Sequence, residues 1–260
     1  MNEFFLVYFG VFILGLLLGS YLNSWMWRVH EGKWILGGRS VCIHCNRQLN
    51  WYENVPLVSF VWLRGICRTC HESIPMDYFL VELCTAFLLV WLVYYHGTGA
   101  PTEYWYFLRD VFFVALLIVT FVYDAKYSLV LSGVISAGAV VGLWFNIVKF
   151  GFTWESLSLG MAIGGGFFLL QYLVSRGRWV GGGDIRIGLM MGAWLGWPQI
   201  LVALFFSYII GATVAIPLLI FKRKNFKSEI PFGTFLAVGT FISLFWGTQI
   251  LSGYIKMIGW

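Results

Sequence analysis

Apolar residues in this chain gather into long unbroken blocks. They do not show the strict alternation of half-buried strands or the one-sided stripe of surface helices. The blocks lie at about 4–27, 79–96, 107–123, 128–148, 157–175, 199–221 and 232–255, with a shorter glycine-rich one at about 185–197. A helix rising 1.5 Å per residue needs roughly 20 apolar residues to cross a bilayer. The pattern therefore predicts an all-α polytopic membrane protein with about eight transmembrane helices, the sixth short. One long polar interruption, 28–77, separates the first two spans. The expected organisation is a first transmembrane helix (1–27), a small loop domain (28–77) and a membrane domain (78–260). Glu3 and the lack of a basic start ahead of a run reaching Trp27 predict a retained span, not a cleaved leader.

Composition supports lipid as solvent. Hydrophobic residues make up 60% of the chain, charged residues 11%, and mean hydropathy is +0.80; a soluble domain carries about 25% charged residues. Aromatics at 20%, with 14 Trp, suit two membrane interfaces. The net charge of +5 would fit a nucleic-acid partner, but its distribution argues otherwise. With the chain starting outside and each span crossing once, all but three of the 17 Lys and Arg fall on the cytoplasmic side; Arg109, Lys149 and Lys256 are the exceptions. That asymmetry predicts a bacterial inner-membrane protein with both termini outside, the 28–77 loop in the cytoplasm and no nucleic-acid partner.

Within that loop stand Cys42, Cys45, Cys67 and Cys70, as CIHC and CRTC. Two C-x-x-C pairs about 20 residues apart are a zinc signature. Four thiolates would fill a tetrahedral ion's coordination and leave no place for water, so the expected zinc is structural. A reducing cytoplasm disfavours the alternative of two disulfides. His44 and His71 are expected to be bystanders, and Cys84 a small core residue. Glu53 and Asn54, polar in an apolar stretch, stand out as candidates for more than packing.

Carboxylates are scarce near the spans, and they are costly in lipid unless they face protein or water. Asp124 closes the third block at FVYDAKY; Asp184 opens the sixth at GGGDIR. Both fall on the cytoplasmic side, two spans apart. Two carboxylates sharing one site hold a proton between them, so one can activate water while the other polarises a carbonyl. Gly181, Gly182 and Gly183 are expected to provide backbone freedom and room for a substrate strand beside Asp184. Taken singly, Asp184 also reads as a helix N-cap and Asp124 as a solvated residue beside Lys126. A proton-coupled transporter using the two aspartates is the competing function, and a zinc-lobe adaptor without chemistry a third.

Several segments together resemble the type IV prepilin peptidases: GLLLGSYLN (15–23), the double C-x-x-C loop with WYENVPLVS (51–59), LRG (63–65) and VEL (81–83), GGGD (181–184), GAWLGW (192–197) and IPFGTFLAVG (230–239). The resemblance implies an aspartyl endopeptidase that removes the basic leader of type IV prepilins or pseudopilins at the cytoplasmic membrane face, with Asp124 and Asp184 catalytic. It also implies N-methylation of the new N-terminal residue from S-adenosylmethionine, associated with the cysteine-containing loop. Two departures stand out. The family's proline and second acid after the first aspartate are missing from DAKYSLVLSG, where Ser132 lies near the acid's place. Arg186 replaces the lysine that often follows the second aspartate. Since the loops and the leader are both basic, apolar contact between helices within the lipid is expected to dominate recognition.

Overall fold

The computed structural model describes residues 2–33, 39–97, 101–220 and 231–258. Among them it is all-helical, with only two isolated β-bridges. The helices are α1 (Asn2–His30), α2 (Val58–Trp62), α3 (Met76–His96), α4 (Pro101–Tyr127), α5 (Ser132–Trp144, prolonged by a π-helical turn over Phe145–Lys149), α6 (Trp154–Ser175), α7 (Gly182–Leu195), α8 (Gln199–Ile220) and α9 (Phe232–Ile258). Seven described helices are long and apolar enough to cross a membrane, and α7 is not among them. Of the cations expected on the cytoplasmic side, Lys222, Arg223, Lys224 and Lys227 lie outside the described residues.

The chain divides into two compact units, Met1–Val111 and Phe112–Trp260, with the boundary inside α4. In the first unit α1 lies along α3. The reason is in the sequence: a Cβ on Gly15 would overlap the Ala86 backbone, and one on Gly19 that of Glu82. Small residues four apart let two helix backbones touch, which is the main source of helix adhesion in lipid. Asn23, buried one turn further on, donates to the Tyr78 carbonyl at 3.0 Å. Cys84 departs from expectation, since it is exposed on α3. An apolar residue on a spanning helix can face lipid and has no need of a protein core.

The second unit is built around α7, whose Ile187, Met190, Met191, Ala193 and Trp194 are almost wholly buried. Its 14 residues give a length of about 21 Å at 1.5 Å per residue, against a hydrocarbon thickness of about 30 Å. It nevertheless runs alongside nearly the whole of α5 and its π-helical turn. Gly183, in its first turn, packs on Val130, and its last turn reaches Asn146 beyond the end of α5. Because protein surrounds it, α7 does not have to match the bilayer. Its terminal carbonyls are satisfied instead by Asn146, whose Nδ2 donates to the carbonyls of Ala193 and Trp194, both at 2.9 Å.

Two devices fix α7 in place. Gly160 and Gly164 of α6 face Gly188 and Gly192 of α7 so closely that a Cβ on any of the four would strike the opposite backbone. Trp194 fills a slot left by Gly138 and Gly142 of α5, stacks on Phe113 (centroids 3.8 Å apart, planes 2° apart) and donates Nε1–H to the Gly138 carbonyl at 2.9 Å. These glycines serve packing.

Candidate active site and metal centre

The cysteine segment folds as two near-copies of one hairpin. Val41 bridges to Gln48 and Ile66 to Ser73. Within each hairpin, the first cysteine's N–H bonds the carbonyl five residues on (Arg47, 2.9 Å; Glu72, 2.8 Å), and its carbonyl accepts from the residue after the second cysteine (Asn46, 3.0 Å; His71, 3.1 Å). Asn46 and His71 take positive φ, 54° and 58°, to close the knuckle. That is what His71 does here; with His44 it stays outside the cluster formed by the four thiols.

Cys42, Cys45, Cys67 and Cys70 bring their Sγ atoms within 4.8 Å of one another. Cys42 and Cys70 sulfurs are 3.8 Å apart. A disulfide would need about 2.05 Å, whereas two thiolates on a tetrahedral zinc at about 2.3 Å stand roughly 3.8 Å apart. The donor set therefore fits a tetrahedral metal ion and not a pair of disulfides. N–H groups of Cys70 and Thr69 push the Cys67 thiol down to about 6. Cys70 is pushed up to about 12: the Glu72 N–H favours its thiolate, but burial and the neighbouring thiols outweigh that. Thiolates this close repel one another, so the cluster is suited to hold a cation.

Glu53 turns out to be a girder of this lobe. Its buried carboxylate takes both ends of the Arg47 guanidinium (2.7 and 3.1 Å) and the Asn50 N–H (2.8 Å). Arg47, and after it the Asn50 N–H, hold the Glu53 carboxyl below the usual carboxylate range. Arg47 in turn faces Cys67, which places a positive charge behind one of the cluster's sulfurs.

In the second unit three helix ends meet. Asp124 lies in the last turn of α4 with its side chain buried; Asp184 is the third residue of α7; Thr234 is in the first turn of α9. The Thr234 N–H donates to Asp124 Oδ2 at 2.9 Å, and the Gly233 N–H also bonds this carboxylate. A Cβ on Gly233 would come to 2.8 Å from that oxygen, so glycine is needed for the carboxylate to sit on the helix start. Such a start offers unpaired N–H groups and a positive dipole end, a natural seat for an anion.

Asp184 Oδ2 accepts from the Gly181 N–H at 3.2 Å, the reach-back bond of a capped helix start. Burial pushes its carboxyl up to about 6; the Gly181 bond opposes this, and the charge of Asp124 adds to it. The two acids thus sense each other across the site, although two whole helices separate them in sequence. Tyr208 of α8, paired with the Gln171 side chain at 2.9 Å, also lies within electrostatic reach of Asp184.

The backbone freedom expected of the glycine triplet is not used. None of Gly181, Gly182 and Gly183 takes positive φ. Gly183 is required because a Cβ there would press on Val130 at 2.5 Å, while one on Gly181 would make only ordinary contact with the Asp184 carboxylate at 3.9 Å and one on Gly182 would meet open space. The two departures flagged in the sequence meet each other, for Arg186 donates to the Ser132 hydroxyl and ties the first turn of α7 to the first turn of α5.

Sequence reasoning did not single out Thr234, Gly233 or Tyr208. The first two lie in the segment 230–239 that carries part of the resemblance, and Pro231 immediately before α9 signals a helix start there. Nothing in the sequence marked Tyr208.

Comparison with known proteins bears on both units. Residues 13–96 match the family model described as the bacterial peptidase A24 N-terminal domain, and residues 111–216 that of the type IV leader peptidase family. The prepilin leader peptidase/N-methyltransferase of Aeromonas hydrophila is 31% identical over 94% of this chain and 92% of its own length. The protein of the same name from Bacillus subtilis is 30% identical, covering 95% and 97%, and that from Pseudomonas aeruginosa 28%, covering 95% and 93%. No solved structure matches the chain significantly.

Proposed function

The chain belongs to the type IV leader peptidase family, and from that premise we propose that it cleaves the leader from type IV prepilins or pseudopilins with Asp124 and Asp184 as its catalytic pair. The observation that carries the reading is the convergence of both carboxylates at one end of the second unit, one of them seated on the start of α9.

The environments divide the labour. Asp124 receives backbone N–H donors, which suit an ionised oxygen; Asp184, desolvated and repelled by its neighbour, holds the shared proton. Asp124 takes a proton from water as the water oxygen bonds to the scissile carbonyl carbon. Asp184 gives its proton to the carbonyl oxygen, which receives the π pair. In the second step the C–N bond breaks, Asp124 returns its proton to the leaving nitrogen, and Asp184 recovers one from the diol. No metal is needed. Asp124→Asn and Asp184→Asn each abolish leader removal in membranes on this reading; cleavage by both single variants would refute it.

A proton-relay transporter finds no support, since both acids lie in terminal turns and the relatives are peptidases. Three further assignments complete the reading. The four cysteines hold a structural zinc, and metal analysis tests this. The orientation has both termini outside and the cysteine lobe in the cytoplasm, and reporter fusions test it. The enzyme also methylates the new N-terminus, as the relatives' name indicates for them; the mass of the processed pilin tests that. S-adenosylmethionine, when bound, supplies the electrophilic methyl group.

A further inference from the structure

Cutting a peptide that arrives as an apolar helix poses a problem the acid pair alone does not solve. In a helix each carbonyl is bonded to the N–H four residues on, so the segment has to unwind before water can reach the scissile carbon. Unwinding frees main-chain N–H and C=O groups, and in hydrocarbon each unpaired one is heavily penalised. A site set among spanning helices therefore needs polar groups near the acids that take up the substrate's main chain.

One such pair lies between α6 and α8. Gln171 stands one turn before the end of α6 and is half-buried, while Tyr208 of α8 is exposed. Gln171 Nε2 donates to the Tyr208 hydroxyl at 2.9 Å, and that hydroxyl donates to Gln171 Oε1 at 3.1 Å. The other hydroxyls of α8 bond within their own helix, Ser207 to the Ala203 carbonyl and Thr213 to that of Ile210. Ring contacts lead from the pair toward the acids. Tyr208 packs on Phe167 and Phe232, with centroids 5.6 and 5.0 Å away, and Phe232 packs on Phe168 at 6.0 Å. Phe232 precedes Gly233, whose N–H bonds the Asp124 carboxylate. Phe168 abuts Gly188, one turn beyond Asp184.

The unused capacity of the amide is what an extended peptide needs. A glutamine side chain carries two N–H donors and a carbonyl with two lone pairs. Tyr208 engages one of each and fixes the amide's orientation. One N–H and one lone pair are left, the set that a neighbouring strand offers to an extended chain. We infer that Gln171, oriented by Tyr208, is a substrate-binding residue whose amide pairs with the main chain of the pilin segment unwound beside the scissile bond. The inference rests on the peptidase reading above. Tyr208 is then a positioning residue, since its hydroxyl acts through the Gln171 amide. A helical segment has no free N–H to give, so the bond forms only as the substrate unwinds, and its worth falls on kcat.

The test uses the full chain in lipid nanodiscs and synthetic pilin peptides spanning the leader and the start of the apolar segment. In one peptide series each N–H within three residues of the scissile bond, the scissile one excepted, is replaced in turn by an ester oxygen. Gln171→Met removes the amide at similar length, Tyr208→Phe removes the hydroxyl and keeps the ring, and Thr213→Val is the control on the same helix. Melting temperature and rate per folded enzyme are read separately. Gln171→Met is expected to lose roughly tenfold in kcat with KM nearly unchanged, Tyr208→Phe several-fold, and Thr213→Val nothing. At one position the ester lowers kcat several-fold in the wild type and hardly at all in Gln171→Met. A bond that merely ties α6 to α8 would lower the melting temperature and leave kcat per folded enzyme and the ester pattern as in the wild type; that result overturns the inference. If Gln171→Met fails to fold, Tyr208→Phe decides by the same readouts. A wild type that leaves the all-peptide substrate uncut, or Asp184→Asn that still cuts it, overturns the peptidase reading, and the inference with it.

Discussion

Replacing Asp184 by Asn removes an ionisable group that the fold holds at a cost. Its carboxyl titrates near 6 in the folded protein against an ordinary 3.8. The native state therefore binds that proton more tightly than the unfolded chain does, and ionising it weakens the fold. The stability linked to the protonated carboxyl is fully present below about pH 3.8 and is lost as pH rises through 6. A shift of about two units corresponds to roughly 3 kcal/mol. Since the side chain keeps some solvent contact, about half of that is the expected yield, or about 1–2 kcal/mol. Asparagine retains an oxygen for the Gly181 N–H, so the cap survives. The variant should accordingly melt higher than the wild type at pH 8 by roughly 3–6 °C, with the difference vanishing near pH 4, while leader removal is lost throughout. Tryptophan fluorescence melts in detergent at both pH values measure it. An equal shift at the two pH values, or a variant less stable at pH 8, would refute the desolvation argument.

Asp124 should respond differently. Asp124→Ala leaves the Thr234 and Gly233 N–H groups without their acceptor, so it should cost about 1–3 kcal/mol, whereas Asp124→Asn should cost less; melting temperatures of the two variants compare them. Trp194→Ala opens the slot between Gly138 and Gly142 and should destabilise by about 3–5 kcal/mol, read as protease sensitivity of the second unit. Gly164→Val forces α6 from α7 and should lower both folded yield and activity, whereas Gly166→Val, which meets open space, should be neutral in the same expression assay. Chelation of the metal, or Cys67→Ser, should expose the 39–75 lobe to limited proteolysis, because a structural zinc contributes its binding energy to folding. Leader removal should survive that treatment, since both aspartates belong to the other unit.

Most of the architecture was legible in hydrophobic block length, because a spanning helix must satisfy a thickness that lipid imposes from outside. The same rule fails at α7. Its length answers to surrounding protein and to Asn146, and neither can be read from the local run of residues. The cysteine cluster was legible because C-x-x-C knuckles are local and their thiols travel with the turn. Glu53 drew notice as a polar residue in an apolar stretch, but its partner Arg47 and its girder role needed coordinates. For the acid pair, sequence gave the two positions and the side they share. It could not supply the start of α9, 110 residues after Asp124, because that contact depends on how distant helices pack. Of the two roles expected for the triplet before Asp184, backbone freedom is not used, and glycine at 183 answers to Val130 instead.

The seam between α6 and α7 has a bearing on how a substrate comes in. Four glycines press main chain against main chain, with no side chains between that could swing aside. Nothing the width of a helix can be admitted there without tearing the pair apart, so that flank is shut to an incoming pilin. An apolar segment arriving sideways through the lipid has to find its doorway on another flank of the bundle, and whatever yields to let it pass must be looked for among the other helices.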